Sequence, residues 1–260
     1  MFFAILMGLG TFAWAGTDYG AGVSARTYPL GAIFTGTIGQ SFRLWNQDPF
    51  PGEDQRPAGG AAPWRYGFVR GSLTAQTIAL VSRVSGEFEF YPISIWGVAA
   101  GAGAHWRSGL ADPFFDCSVL QCGGVLLKSW VRSQVVAAAG PVFVGAGARL
   151  EWLWPDRSKT GFIEESSNLA GAGAADQLFS PWVVGGVNLG NDWKALGWVS
   201  YGLFLQNQTR FFSSALAVSK RWGMFTVTGG GGTFESGHQG LGPAFFLQLQ
   251  WNGKESPVLL

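Results

Sequence analysis

Residues Val142–Trp154 read VFVGAGARLEWLW, and the two parities of this stretch differ in kind. Val142, Val144, Ala146, Ala148, Leu150, Trp152 and Trp154 are apolar, whereas Gly145, Gly147, Arg149 and Glu151 occupy the other parity. Side chains alternate faces along a β-strand, so one face is greasy and the other carries charge and glycine. A soluble sandwich could show this once. Here it recurs along the chain, and greasy outsides with wet insides on many strands are most simply met by a closed barrel in a membrane. The expected fold is all-β: a single antiparallel transmembrane β-barrel.

Working outward, about 12 strand-like segments (10–14) can be placed, since the signal of any one barrel strand is weak. They cover 17–27, 31–45, 64–79, 81–91, 94–107, 124–138, 141–154, 179–189, 194–206, 211–221, 223–234 and 243–251. Most exceed the roughly 9–11 residues that a tilted strand needs to cross the hydrocarbon. Val84, Phe88 and Phe90 oppose Arg83, Glu87 and Glu89. Trp96, Val98, Ala100 and Trp106 oppose Gly97, Gly101, Gly103, His105 and Arg107, and Leu127, Val131 and Val135 oppose Lys128, Arg132 and Gln134. Segment 64–79 changes phase midway, and 211–234 is too rich in Ser, Thr and Gly to fix a register.

Composition agrees. Charged residues are 13% of the 260, with a formal net charge of +1, which excludes a nucleic-acid binder acting through clustered Lys and Arg. Aromatics at 15% argue against disorder. Ten of the thirteen tryptophans fall at or near segment ends: Trp45, Trp64, Trp96, Trp106, Trp152, Trp154, Trp182, Trp193, Trp222 and Trp251. Such positions suit the aromatic girdles of a barrel, and Trp96, Trp106, Trp152, Trp154 and Trp251 are the girdle candidates.

Residues 1–15 end in Ala13-Trp14-Ala15, an A-x-A site after an apolar run, and are expected to be a signal peptide. No Lys or Arg precedes that run, so a start upstream of Met1, or a retained first strand or buried segment, stays open. The barrel would span 16–251, with a short periplasmic tail over 252–260. Cys117 and Cys122, in a segment without strand pattern, read as a local disulfide pinning a loop tip, worth about 2 kcal/mol by loop entropy. A metal site would need a nearby His or second Cys pair to complete a zinc set, so no metal and no cofactor are expected.

Short turns are expected at 92–94, 140–141, 190–192 and around Trp222, and long connections at 108–123, 155–178 and 235–242. With a periplasmic N-terminus these alternate as barrels require, short turns inside and long loops outside. The Pro- and Gly-rich stretch 46–63 breaks the rule, implying either misdrawn first strands or a periplasmic flap.

Phe245-x-Leu247-x-Leu249-x-Trp251, after Gly242-Pro243, resembles the closing strand of Gram-negative outer-membrane proteins, which alternates apolar residues up to an aromatic. The resemblance is to a broad class. It implies residence in the outer membrane of a Gram-negative bacterium, with outer-membrane lipid as the first partner.

The lumen is the candidate site. Expected inward charges are Arg83, Arg107, Lys128, Arg132 and Arg149 against Glu87, Glu89 and Glu151, mildly favouring anions. The same residues could instead pair and close the interior. Trp130 faces inward, to stack a ring or to fill space, and inward glycines 97, 101, 103, 145 and 147 leave room for a pore or a folded-in loop. His105, with Asp112 and Asp116 in the next loop, could form a rim hydrolase, but no catalytic signature accompanies it, so no enzyme is expected. His238 reads as solvated. The expected function is a narrow, monomeric, porin-like channel for small solutes with a charged lumen. The alternative is a non-transporting barrel that binds envelope proteins through its loops.

Overall fold

The computed structural model describes residues 14–27, 30–45, 67–78, 81–93, 95–108, 116–156, 160–164, 169–237 and 239–254. Twelve antiparallel strands close into a barrel: β1 (Trp14–Thr27), β2 (Leu30–Trp45), β3 (Gly67–Ile78), β4 (Val81–Ile93), β5 (Trp96–Ser108), β7 (Gly123–Ala139), β8 (Val142–Pro155), β11 (Asp176–Gly190), β12 (Trp193–Phe204), β13 (Arg210–Trp222), β14 (Phe225–Ser236) and β15 (Gln239–Lys254). Each pairs with its neighbour in sequence around the wall, and β1 pairs with β15 to complete the circle. Closure leaves no strand edge unpaired, the condition for a sheet in hydrocarbon.

The outer face follows the alternation. Phe34, Ile38, Leu73, Phe88, Val131, Val144, Val183, Leu216, Phe245 and Leu247 are all exposed on it. The polar parity points in. Trp106 and Trp154 stand exposed at one end of the barrel and Trp96, Trp193 and Trp222 at the other, with Trp152 and Trp251 on the same outward parity, half-buried. Trp251 packs on outward Tyr19, ring centroids 5.7 Å apart. Trp182 is different: it lies within β11 and faces inward over Gly147, so it is no part of a girdle.

β3 keeps one phase throughout. Phe68, Arg70, Ser72, Thr74 and Gln76 all point in, and the apparent change of phase arises because the first of them is an aromatic, stacked on Tyr91 at 4.5 Å. Turn chemistry sets the register elsewhere: Asn191 and Asp192 have φ of 49° and 62°, which their short polar side chains tolerate, between β11 and β12. Ser236 pairs directly with Gln239, so β14 and β15 form a tight hairpin where a long connection over 235–242 was expected.

Connection 46–66 leaves β2 at the end of the barrel where β1 begins, as the strand count demanded, and the register of β1, β2 and β3 shows that those strands were drawn correctly. Its residues, with Trp64, His238, Asp112 and the segments 1–13 and 255–260, lie outside the described residues. The described part of the chain places Trp14 and Ala15 in β1 and Asn252–Lys254 in β15.

A second, smaller sheet was not foreseen. β6 (Leu120–Gln121), β9 (Gly161–Glu164) and β10 (Leu169–Ala172) come from the two long connections and pair in the order β10-β9-β6 at the mouth opposite the termini of β1 and β15. Phe162 and Leu169 insert among Leu126, Leu153, Leu178 and Phe204, all inward residues at the strand ends, and bury completely with them. The Cys117–Cys122 disulfide, Cα atoms 5.5 Å apart, staples the turn that leads into β6. Asp176 accepts from the amides of Ala172, Gln177 and Gln206, tying the far side of this cap to the wall.

Candidate functional site: the lumen

Small residues on middle strands let charges meet across the wall. Neighbouring strands lie about 4.8 Å apart, so side chains two strands apart touch only if nothing stands between them. On β5 the inward residues after Trp96 are Gly97, Ala99, Gly101 and Gly103. Over them, Glu87 and Glu89 of β4 reach Trp130 and Arg132 of β7. Arg132 Nη2 donates to Glu87 Oε1 at 2.7 Å and lies 3.6 Å from Glu89 Oε2, and Trp130 Nε1 donates to Glu87 Oε2 at 2.6 Å. β2 repeats the arrangement. Gly39 lies under the guanidinium of Arg70, which crosses it from β3 to Asp18 of β1 with hydrogen bonds of 2.9 and 2.6 Å. Arg70 also donates to Glu89 at 2.5 Å.

The pairs join into one ladder, Asp18–Arg70–Glu89–Arg132–Glu87, which continues through Trp130 to Arg149, Glu151, Lys128 and Glu164. Arg149 lies 4.3 Å above the Trp130 ring and pairs with Glu151 at 3.1 Å. Lys128 is 4.0 Å from Glu151 and 2.5 Å from Glu164 of the cap. Arg107 donates to the carbonyl of Ile163 at 2.7 Å, so it anchors the cap. Every inward charge expected from the sequence therefore does face in. Arg107, Lys128, Arg132, Arg149, Glu87, Glu89 and Glu151 are found in partnership, whereas the buried Arg83 Nε has no hydrogen-bond partner among the described residues.

Three of the five inward glycines, Gly97, Gly101 and Gly147, are covered by aromatic rings rather than left open. Ring edges of Tyr91, Trp130 and Trp182 lie over Gly97, Gly101 and Gly147, where a Cβ would fall 2.3, 2.4 and 2.7 Å from them. Trp130 is buried, with Arg149 over one face of its ring and its edge against Gly101. His105 is buried in the lumen beside Arg83 and Lys128, and Asp116 is exposed in the disulfide turn, accepting from Ser118 Oγ at 2.6 Å.

Sequence reasoning missed Asp18, Arg26, Arg70, Glu164 and Asp176. Asp18 and Arg26 were readable, since they share a parity opposite Tyr19, Ala21, Val23 and Ala25. Arg70 was hidden by the aromatic start of β3. Glu164 sits in a loop whose strand character depends on contacts with the barrel.

Among the described residues, two cavities lie in the lumen. One of about 510 Å³ runs along β15, β1, β2 and β3, and one of about 220 Å³ lies nearer the cap beside Arg83, His105 and Lys128. Ser72, Thr74, Gln76 and Glu87 line both. On another side of the interior, Trp198 of β12 meets Phe246 of β15 at 5.0 Å over the small residues of β13 and β14.

A closed barrel with a lipid-facing apolar belt, aromatic rims and a polar interior is the build of a Gram-negative outer-membrane protein. No protein-family model matches the chain, and no curated protein matches it. Among solved structures it is similar to the NanC porin, at 11% identity and TM-score 0.47 over 91% of this chain and 99% of that one. It is similar also to the KdgM porin, at 7% and 0.44 over 90% and 98%. A third is a loop L8 deletion mutant of OmpT, an outer membrane protein of Vibrio cholerae, at 8% and 0.45 over 91% and 98%. Likeness at these values is weak, and the functional reading rests on the chain's own residues.

Proposed function

We propose that the protein is a narrow, porin-like channel for small solutes, monomeric in outer-membrane lipid and without enzymatic activity. The observation that carries this is the pair of polar cavities meeting at Ser72, Thr74, Gln76 and Glu87 inside a closed barrel. Solute would pass off-centre, along β15, β1, β2 and β3, where the larger cavity lies. Arg83, Arg107, Lys128, Arg132 and Arg149 with Glu87, Glu89 and Glu151 would shape the field along that path. The residues that the sequence reading missed add cations, Arg26 and Arg70, as well as acids, Asp18, Glu164 and Asp176, so the described interior keeps a small cationic excess and would favour anions only mildly.

A barrel without transport is the second reading, favoured by the cap sheet seated in the mouth and by the charges that pair across the lumen. Single-channel recording of the refolded protein in a planar bilayer separates the two. Discrete conductance steps support the channel. A barrel that inserts and stays silent contradicts it.

A further inference from the structure

We infer that the solute is an uncharged polyhydroxyl molecule of the sugar or sugar-alcohol class, held in the larger cavity between an ion-paired wall and a wall of hydroxyls and amides. The inference rests on the channel reading and adds to it the chemistry of what passes.

The ion-paired wall comes from β3, β4 and β7. Arg70 is matched by Asp18 and Glu89, and Arg132 by Glu87 and Glu89, at separations of 2.5–3.6 Å. Opposite charges this close present dipoles to the cavity, whose fields fall off faster than that of a lone charge. A carboxylate or phosphate solute entering here would lose water without gaining an uncommitted cation, and a cationic solute would find no uncommitted acid.

The facing wall is neutral. Thr35 and Thr37 of β2, Thr74 and Gln76 of β3, and Gln248 and Gln250 of β15 point into the cavity. Each hydroxyl donates and accepts, and each amide does both through different atoms. Sugar hydroxyls have that dual character, so such a wall can replace their hydration shell bond for bond as the solute slides. Thr37 and Thr74 already bond to one another at 3.2 Å and can exchange that contact for a solute hydroxyl. The cavity volume of about 510 Å³ falls within the range of small-molecule sites, roughly 300–1,000 Å³.

The test uses the full chain refolded in planar bilayers, with KCl current as the readout and lactose and lactobionate as solutes matched in size but not in charge. A saturable reduction of single-channel current by lactose, with lactobionate ineffective at equal concentration, is expected. Thr37→Val and Gln248→Leu should each weaken lactose binding by about three- to tenfold, the effect of losing one or two hydrogen bonds, read as the lactose concentration that halves each variant's own current. Current reduced by lactobionate and not by lactose overturns the inference while leaving the channel standing, and so does wild-type lactose affinity in both variants. The absence of conductance steps overturns the channel reading itself, and the inference with it.

Discussion

Arg132 donates to Glu87 at 2.7 Å, and Glu87 lines both cavities of the lumen. In the proposed channel, the bond therefore sits where a path from one cavity to the other would pass. Replacing Arg132 with Ala leaves Glu87 and Glu89 short of a cation at that point. In a KCl gradient the reversal potential should move toward cation preference relative to wild type, and Glu87→Gln should move it the other way. Equal potentials in all three would show that current bypasses this pair.

Arg70 joins two acids at once, and its side chain is 8% exposed. Arg70→Met strands Asp18 and Glu89 in a buried setting, a class of change that costs about 3–5 kcal/mol. The urea midpoint should fall accordingly. Adding Asp18→Asn and Glu89→Gln should recover most of the loss, because the penalty comes from unpaired charge rather than from lost packing.

Gly101 and Gly36 make a matched pair. A Cβ at Gly101 would sit 2.4 Å from the Trp130 ring and 2.6 Å from the carbonyl of Gly86, whereas one at Gly36 meets nothing within 4 Å. Gly101→Ala should destabilise by about 1–3 kcal/mol, the usual cost of overpacking, and shift the fluorescence of Trp130. Gly36→Ala should leave the denaturation curve unchanged.

The cap is held by the Cys117–Cys122 disulfide and by Lys128 against Glu164. Reducing the disulfide in a Glu164→Gln background should speed hydrogen exchange at the amides of β9 and β10 while those of β7 and β8 stay protected. Uniform protection would mean that the burial of Phe162 and Leu169 alone seats the sheet.

Much of this was legible because a barrel wall is a local code. β8 could be read strand-long from Val142 to Trp154, and its two neighbours followed. What escaped was whatever depends on partners distant in sequence. Phe143 and Leu153 share the inward parity of Arg149 and Glu151, since one rests over Gly186 and the other packs under the cap. Inward glycines looked like empty space because nothing local says that Tyr91, Trp130 and Trp182 lie across them. The pairing of the charges was missed for the same reason: Glu164 reaches the lumen only through the fold of a loop, and Arg70 meets Asp18 only because nothing but Gly39 stands between them.

Central to the account is a water-filled path along β2 with lipid on its other side, and adjacent residues report on the two faces. Thr37 lines the larger cavity, while Ile38 is 53% exposed on the outer face. Thr37→Cys and Ile38→Cys, each in a planar bilayer, can be challenged with a membrane-impermeant methanethiosulfonate reagent. The expected result is a stepwise loss of current for Thr37→Cys and none for Ile38→Cys. Silence in both, or a loss confined to Ile38→Cys, would contradict a channel through this lumen.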